Sequence, residues 1–301
     1  MPPSARDSAA GVHVETASDL PGGISPLAYS DRRAGALVCS WAAAAPDPAT
    51  PWLRPAVWVG VLPGSNPDAF AAVRGEWGID GTPDPFFSCP DFNKATCVFG
   101  GTSGEYQWLG SVSTGGPAAG RDSAQAVADS VRSAVTRLRS PAPLWEPQGG
   151  SLKGVTSPDG FLPLDRLEAI VGDGALRAVK SEGGEYLVST LGSSALVGGY
   201  WASFADHNGD GLGIAVLPGG AFGFDDRQAH PIPGTTGVHA VDVGDSAVIS
   251  VPGSTVPGDA GPGKARVLDV KVRNSWVQVD STTLGDDKLI EVARAVIDNL
   301  S

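Results

Sequence analysis

The sequence predicts an α+β protein of two related domains, each an antiparallel sheet packed against one or two helices. Three observations predict it: a strand–loop–strand unit that recurs after about 160 residues, an amphipathic helix closing each half, and a Pro/Gly/Ser-rich stretch between the halves. At 301 residues the chain is long enough for two domains, since single domains cluster near ~100 to 150 residues. Apolar residues make up 42% and charged residues 18%, too apolar and too weakly charged for a chain that stays unfolded.

The repeat is carried by Ala36-Leu37-Val38-Cys39-Ser40-Trp41 against Ala195-Leu196-Val197-Gly198-Gly199-Tyr200-Trp201. After each comes an apolar run ending in Leu-Pro-Gly, Trp58 to Gly64 in one copy and Gly213 to Gly219 in the other. A second hairpin follows in each half. Thr96 to Phe99 and Tyr106 to Val112 flank the turn Gly100 to Gly104. In the other half Val267 to Val272 and Trp276 to Asp280 flank Arg273-Asn274-Ser275, with Val277 and Val279 alternating with Gln278 and Asp280 as a half-buried strand does.

The closing helices have the clearest periodicity. Val127, Val131, Val135 and Leu138 form one stripe; Leu289, Val292, Ala293, Val296, Ile297 and Leu300 form the other. Asp122 or Ser123, and Asp286 or Asp287, are the expected N-caps. The domains are therefore 12–139 and 161–301, joined by a linker over 140–160, with 1–11 as a disordered tail. The second half opens with a short helix over Leu164, Leu167, Ile170 and Val171, stopped by Gly172, and the first half shows no counterpart. Aligning Val12 to Glu15 with Leu176 to Val179 makes the first half begin at its first strand. The expectation is a natural start upstream of Met1, carrying a signal or lipoprotein peptide and the missing helix.

The net charge is −12, the pI is about 4.7 and no Lys/Arg run occurs, so nucleic acid is excluded as a partner. No apolar stretch approaches the ~18 to 20 residues that span a bilayer. Among the three cysteines, Cys89 and Cys97 bracket a turn-rich segment, and a disulfide between them would point to an oxidising compartment. Cys39 with Cys97, or three buried thiols, are the other arrangements. Three cysteines without C-x-x-C spacing or a neighbouring His do not build a zinc shell.

No familiar catalytic string appears. Asp206-His207-Asn208-Gly209-Asp210-Gly211 copies the first half of a calcium loop, making Asp206, Asn208 and Asp210 metal candidates. Leu217 stands where the bidentate Glu would be, so a polar turn is the simpler reading. Gly258 to Lys264 fits GxxxxGK, but Ala265 and a following strand replace the Ser/Thr and helix of a phosphate loop. Gly-x-Ser-x-Gly, Ser-x-x-Lys and His-Glu-x-x-His are absent. His239, Asp242 and Ser246 contain the right groups for a nucleophilic triad, yet strand alternation puts His239 and Asp242 on opposite faces. Trp52, Trp58 and Trp77 belong to the less repetitive part of the first half and are the candidates for a glycan- or partner-binding surface, with core packing as the alternative. Trp41 and Trp201 are expected to fill equivalent cores. The first half holds all three cysteines and these extra tryptophans, so a site is expected there.

The Cys39-Ser40-Trp41 strand, the Val243-Gly244-Asp245-Ser246-Ala247 turn, the paired strands after it and the terminal helices resemble a family of small actinobacterial exported lipoprotein-like domains of unknown function. The second half departs in having Gly-Gly-Tyr-Trp for Cys-Ser-Trp, and the first in lacking the Gly-Asp turn. The resemblance implies two divergent copies of an antiparallel-sheet fold and an extracellular or envelope location. It carries no catalytic residues. The function expected is a non-enzymatic module of the cell envelope that binds a ligand, glycan or protein and needs no cofactor. The alternatives are a secreted hydrolase whose Ser, His and Asp converge only in three dimensions, and an assembly component.

Overall fold

In a sheet, neighbouring side chains point to opposite faces, so what covers each face decides which residues can stand there. The computed structural model describes residues 3–16, 25–43, 55–64, 67–76, 83–89, 96–114, 120–172, 176–179, 192–206, 211–232, 234–253 and 265–301. The chain divides into two units, each built on one sheet. Unit 1 takes Met1–Pro21, Ala34–Leu144 and Thr190–Ser193; unit 2 takes Gly22–Arg33, Trp145–Ser189 and Ser194–Ser301.

Unit 1 runs α1 (Pro3–Ala10), β1 (Glu15–Thr16), β2 (Leu37–Ala42), β3 (Ala56–Pro63), α2 (Pro67–Glu76), β4 (Phe86–Ser88), β5 (Thr96–Ser103), β6 (Tyr106–Ser113) and α3 (Arg121–Val135). Its six strands are ordered β1-β2-β3-β6-β5-β4, every neighbour antiparallel. Val57, Val59, Phe99, Trp108 and Val112 pack against Ala124, Val127, Ala128 and Val135 of α3. Buried side chains of this size contribute roughly 1.5 to 3 kcal/mol each.

Unit 2 runs α4 (Leu164–Val171), β7 (Arg177–Val179), β8 (Tyr200–Ala205), β9 (Gly211–Leu217), α5 (Ala221–Ala229), β10 (Thr236–Ala240), β11 (Ser246–Val251), β12 (Arg266–Val272), β13 (Ser275–Ser281) and α6 (Asp286–Leu300). Its sheet is ordered β10-β11-β12-β13-β9-β8-β7. Read from the β7 edge this is the unit 1 order with β10 added, so the duplication extends to topology. The turns also correspond: Gly104 and Arg273 each open a two-residue hairpin turn with a left-handed backbone, φ 58° and 52°.

Several sequence expectations change. Residues 3–10, expected in a disordered tail, form α1, which packs on α3 through the fully buried Ala9 and Ala10. α1 precedes β1 as α4 precedes β7, so the opening helix of the first half is present. The stretch expected as a linker is in part laid along unit 2. Leu152 and Val155 are buried in its core, Lys153 N–H donates to Leu300 O (2.9 Å) and Val155 N–H to Gly198 O (3.1 Å). The first closing helix ends at Val135, leaving Leu138 exposed. Gly120 and Gly285 occupy the N-cap positions, placing Asp122 and Asp286 in the first turns, where a carboxylate favours the helix dipole. Trp41 faces the α1/α3 core of unit 1 opposite Val57, whereas Trp201 pairs with Ala215 on the other face of its sheet. The register matches Trp41 with Phe204, and the two tryptophans are not equivalent.

The largest change concerns coverage. A second helix also meets the other face of each sheet: in unit 1 α2 reaches it at edge strand β4, where Phe70 meets Phe86 with ring centroids 6.3 Å apart, and in unit 2 α5 lies over β12 and β13. Among the described residues no helix is long and apolar enough to cross a membrane.

Cys89 and Cys97 form a disulfide that closes the β4–β5 connection, and Cys39 on β2 is a half-buried free thiol. The bridge restricts the unfolded chain over a short loop. Replacing both cysteines by alanine is expected to lower the stability of unit 1 by about 2 to 3 kcal/mol in urea unfolding, with the far-ultraviolet circular dichroism of the folded state unchanged.

Candidate functional site

The strand register of unit 2 gathers polar side chains on the face covered by α5. Asp269 pairs with Gln278, Lys271 with Trp276 and Val267 with Asp280, so all six side chains share that face. On β9, Leu217, Ala215 and Gly213 stand opposite Trp276, Gln278 and Asp280. α5 lies over them with Ala221, Gly223, Phe224 and Arg227 turned inward and buried. Gly223 is required at this contact, because a Cβ there would come within 2.9 Å of the Tyr29 ring and 3.1 Å of the Trp276 ring.

At the centre is Asp269, 2% exposed. Trp276 Nε1–H donates to its Oδ1 at 2.9 Å and Gln278 Nε2–H donates to the same oxygen at 2.8 Å. Burial raises the Asp269 pKa, opposed by these two donors and by the positive charge of Arg227. Arg227 is itself 3% exposed, and its Nη1 has no hydrogen-bond partner among the described residues. Asp280 is partly buried and its carboxylate lies over Gly213, where a Cβ would come too close to the carboxyl atoms. Its pKa is raised to about 6 by burial first and by the charge of Asp269 second.

A segment drawn from the N-terminal half completes this face. Pro26–Tyr29 forms one 3₁₀ turn and Ser30–Arg33 one α turn. Tyr29 packs edge-on against Trp276 (5.4 Å) and donates its hydroxyl to Asp226 Oδ2 at 3.0 Å. Its pKa is pushed up to about 12, mainly by burial and then by Asp226. Arg33 donates to Pro218 O (3.2 Å), Trp145 O (2.5 Å) and Glu146 Oε2 (3.3 Å). Lys271 Nζ reaches Asp225 at 2.7 Å, tying α5 to β12.

Unit 1 has no carboxylate at the matching positions. Matching the hairpins by register sets Gly100 where Asp269 stands, Gln107 for Trp276, Leu109 for Gln278, Ser111 for Asp280 and Trp58 for Gly213. The fold is thus built once with Gln107 as a buried polar side chain on this face, and once with two carboxylates there, Asp269 buried and Asp280 partly buried. Bulk is exchanged at one point: Trp58 faces Ser111 in unit 1, and Gly213 faces Asp280 in unit 2.

The residues singled out from the sequence are not brought together. Trp58 is half-buried on β3 between Ser40 and Ser111; Trp52 and Trp77 lie outside the described residues. Asp206 follows β8, and Asn208 and Asp210 lie outside the described residues, among which no group of three metal-ligating side chains occurs. The described histidines face carboxylates at the surface: His13 with Asp7 (2.9 Å), His230 with Asp226 (3.4 Å) and His239 with Asp286 (3.2 Å). Asp245 instead accepts from the Arg273 backbone N–H, fixing the hairpin turn.

The polar cluster was missed because Gln278 and Asp280, alternating with valines, have the pattern of a solvent-facing strand side. A signal was present in the Phe-containing segments that follow Leu-Pro-Gly in both halves, Pro67 to Glu76 and Ala221 to Ala229, which become the covering helices. No protein-family model, curated protein or solved structure matches the chain.

Two outcomes follow from this geometry. Gly213→Ala is expected to cost about 1 to 3 kcal/mol by forcing the Asp280 carboxylate aside, and less in an Asp280→Ser background, as a double-mutant cycle in urea would measure. Because folded Asp280 keeps its proton to about 6, against about 4 when unfolded, the folded state binds more protons between those values. Its contribution to stability is fullest below pH ~4, falls by up to about 3 kcal/mol as pH rises to ~6, and then levels. Denaturation of the wild type and of Asp280→Asn across this range should show the difference, with the variant the more stable at neutral pH.

Proposed function

We propose that this chain is a non-enzymatic binding module that works outside the cytoplasm, at the cell envelope, and that its two halves are divergent copies of an exported lipoprotein-like domain. The observation that carries the location is the Cys89–Cys97 disulfide, since such bonds persist in oxidising compartments. The acidic charge fits a neutral, cationic or protein ligand better than a polyanion.

The binding role is argued from the groups at hand. Among the described residues the dense cluster of functional side chains around Asp269 lies under a helix and is bonded to its own neighbours, an arrangement suited to fixing a surface rather than attacking a substrate. The described histidines pair with carboxylates at the surface, His13 with Asp7, His230 with Asp226 and His239 with Asp286. In unit 1, half-buried Trp58 offers an aromatic face for a glycan or partner.

In its native host the protein should fractionate with the envelope and show one titratable thiol per denatured chain, that of Cys39. A cytosolic protein with three titratable thiols would overturn the location. A fluorophosphonate probe should leave the protein unlabelled. Labelling of a serine would replace the binding role with that of a hydrolase.

A further inference from the structure

Among the described tryptophans Trp145 is the exposed one, at 61%; Trp108 and Trp276 are buried, and Trp41, Trp58 and Trp201 are partly so. It lies in the stretch expected as a linker, yet it belongs to unit 2, as does the Arg33 that holds it. The Arg33 side chain is 3% exposed, and its guanidinium stacks 5.5 Å from the centroid of the Trp145 ring. Its Nε donates to Pro218 O, its Nη1 to Trp145 O and its Nη2 to Glu146 Oε2. Gly219 leaves the passage for this group, because a Cβ there would overlap Arg33 Nε. Single apolar side chains at a surface need no explanation. A buried guanidinium that clamps one does, since burying a charge is costly. With Arg33 on one side of the indole, the exposure falls on the outer face and the edge.

Size and charge select what that face takes. An indole offers at most about 250 Å², against roughly 800 Å² per partner in a stable protein interface. Its chain neighbour Leu144 is also exposed, but the other exposed large apolar side chains of unit 2, Val179 and Val238, stand on opposite edge strands, β7 and β10. Arg33 and Glu146 neutralise each other, and a cation on the outer face would stand across the ring from Arg33. An anion would meet Glu146, 72% exposed, and a chain of net charge −12. A neutral ligand about one ring across is left. Arg33 takes one oxygen of Glu146, and the other remains as an acceptor beside the indole.

We propose that Trp145 is a stacking platform for one pyranose ring of a neutral glycan, with Glu146 accepting from a sugar hydroxyl and Arg33 as the positioning residue. A pyranose has the matching form, with C–H groups on its face and hydroxyls around its rim. The inference rests on the binding-module reading above and gives that module a ligand class and a site in unit 2.

Nitrogen-15 NMR of the tryptophan indole N–H groups in the full chain tests this, in titrations with cellohexaose, maltohexaose and N-acetylchitohexaose. At least one of them should shift the Trp145 signal, identified by its loss in Trp145→Ala, and saturate near ~1 mM, the affinity of a single stacked ring with a few hydrogen bonds. Trp145→Ala, its fold checked by circular dichroism, should weaken binding of that sugar about tenfold or more in calorimetry. Glu146→Gln should weaken it severalfold, and Trp58→Ala should leave it unchanged. No shift of Trp145 with any of the three sugars would overturn the platform, while envelope location and serine reactivity keep their own tests. Binding lost in Trp58→Ala and kept in Trp145→Ala would overturn it too, and would leave glycan binding to unit 1. A Trp145 signal that moves on dilution without sugar would assign the ring to a second copy of the chain instead.

Discussion

A sheet face packed under a helix has no solvent side, and this constraint governs the second face of unit 2. Every residue of a central strand must then be apolar or have its polar atoms satisfied inside. Unit 1 buries Leu62, Val98, Leu109 and Phe86 on its second face, together with the polar side chain of Gln107. Unit 2 meets the condition differently, with Trp276 and Gln278 donating to one oxygen of Asp269 and Arg227 set nearby in charge. Because the two strand orders correspond, unit 1 shows that the topology does not demand a carboxylate at these positions. The carboxylates of unit 2 are an addition to the fold, and Asp280, the one without a counter-charge, is the addition that costs stability.

The segment Pro26–Arg33 depends on the same face. Its anchor is the ring of Tyr29 against Trp276, and that contact exists only because Gly223 leaves α5 without a side chain there. Unit 2 thus includes chain from well before its own first strand, while sequence to either side of the segment belongs to unit 1. Sequence order alone would place this segment in the first domain.

The features legible in the sequence are those in which burial leaves a periodic trace. The stripes of α3, α4 and α6, the hairpins around Gly104 and Arg273 and the duplication itself were readable from apolar spacing and turn residues. α1 was not, since its contact with α3 is made by Ala9 and Ala10, too small to stand out as a stripe. The Cys89–Cys97 pairing was readable from its turn-rich spacing, although Cys39 offered another arrangement. The polar layer of unit 2 was hidden because a buried Gln or Asp and an exposed one give the same alternation along a strand. Only the Phe residues of the helix that lies on top distinguish them. The offset of Trp41 from Trp201 was misread because similar strand sequences slid by three positions, which in a sheet also changes the face.

The central claim is that unit 2 sets two carboxylates, Asp269 and Asp280, on one helix-covered sheet face, where burial raises the pKa of both. Carbon-13 NMR of the side-chain carboxyl of Asp280, titrated in the folded full-length chain, measures this directly. The account predicts a midpoint near 6, with Asp269 keeping its donors throughout. A midpoint at the ordinary aspartate position near 4 would contradict it, because Asp280 would then be solvated and the second face of unit 2 would not be closed.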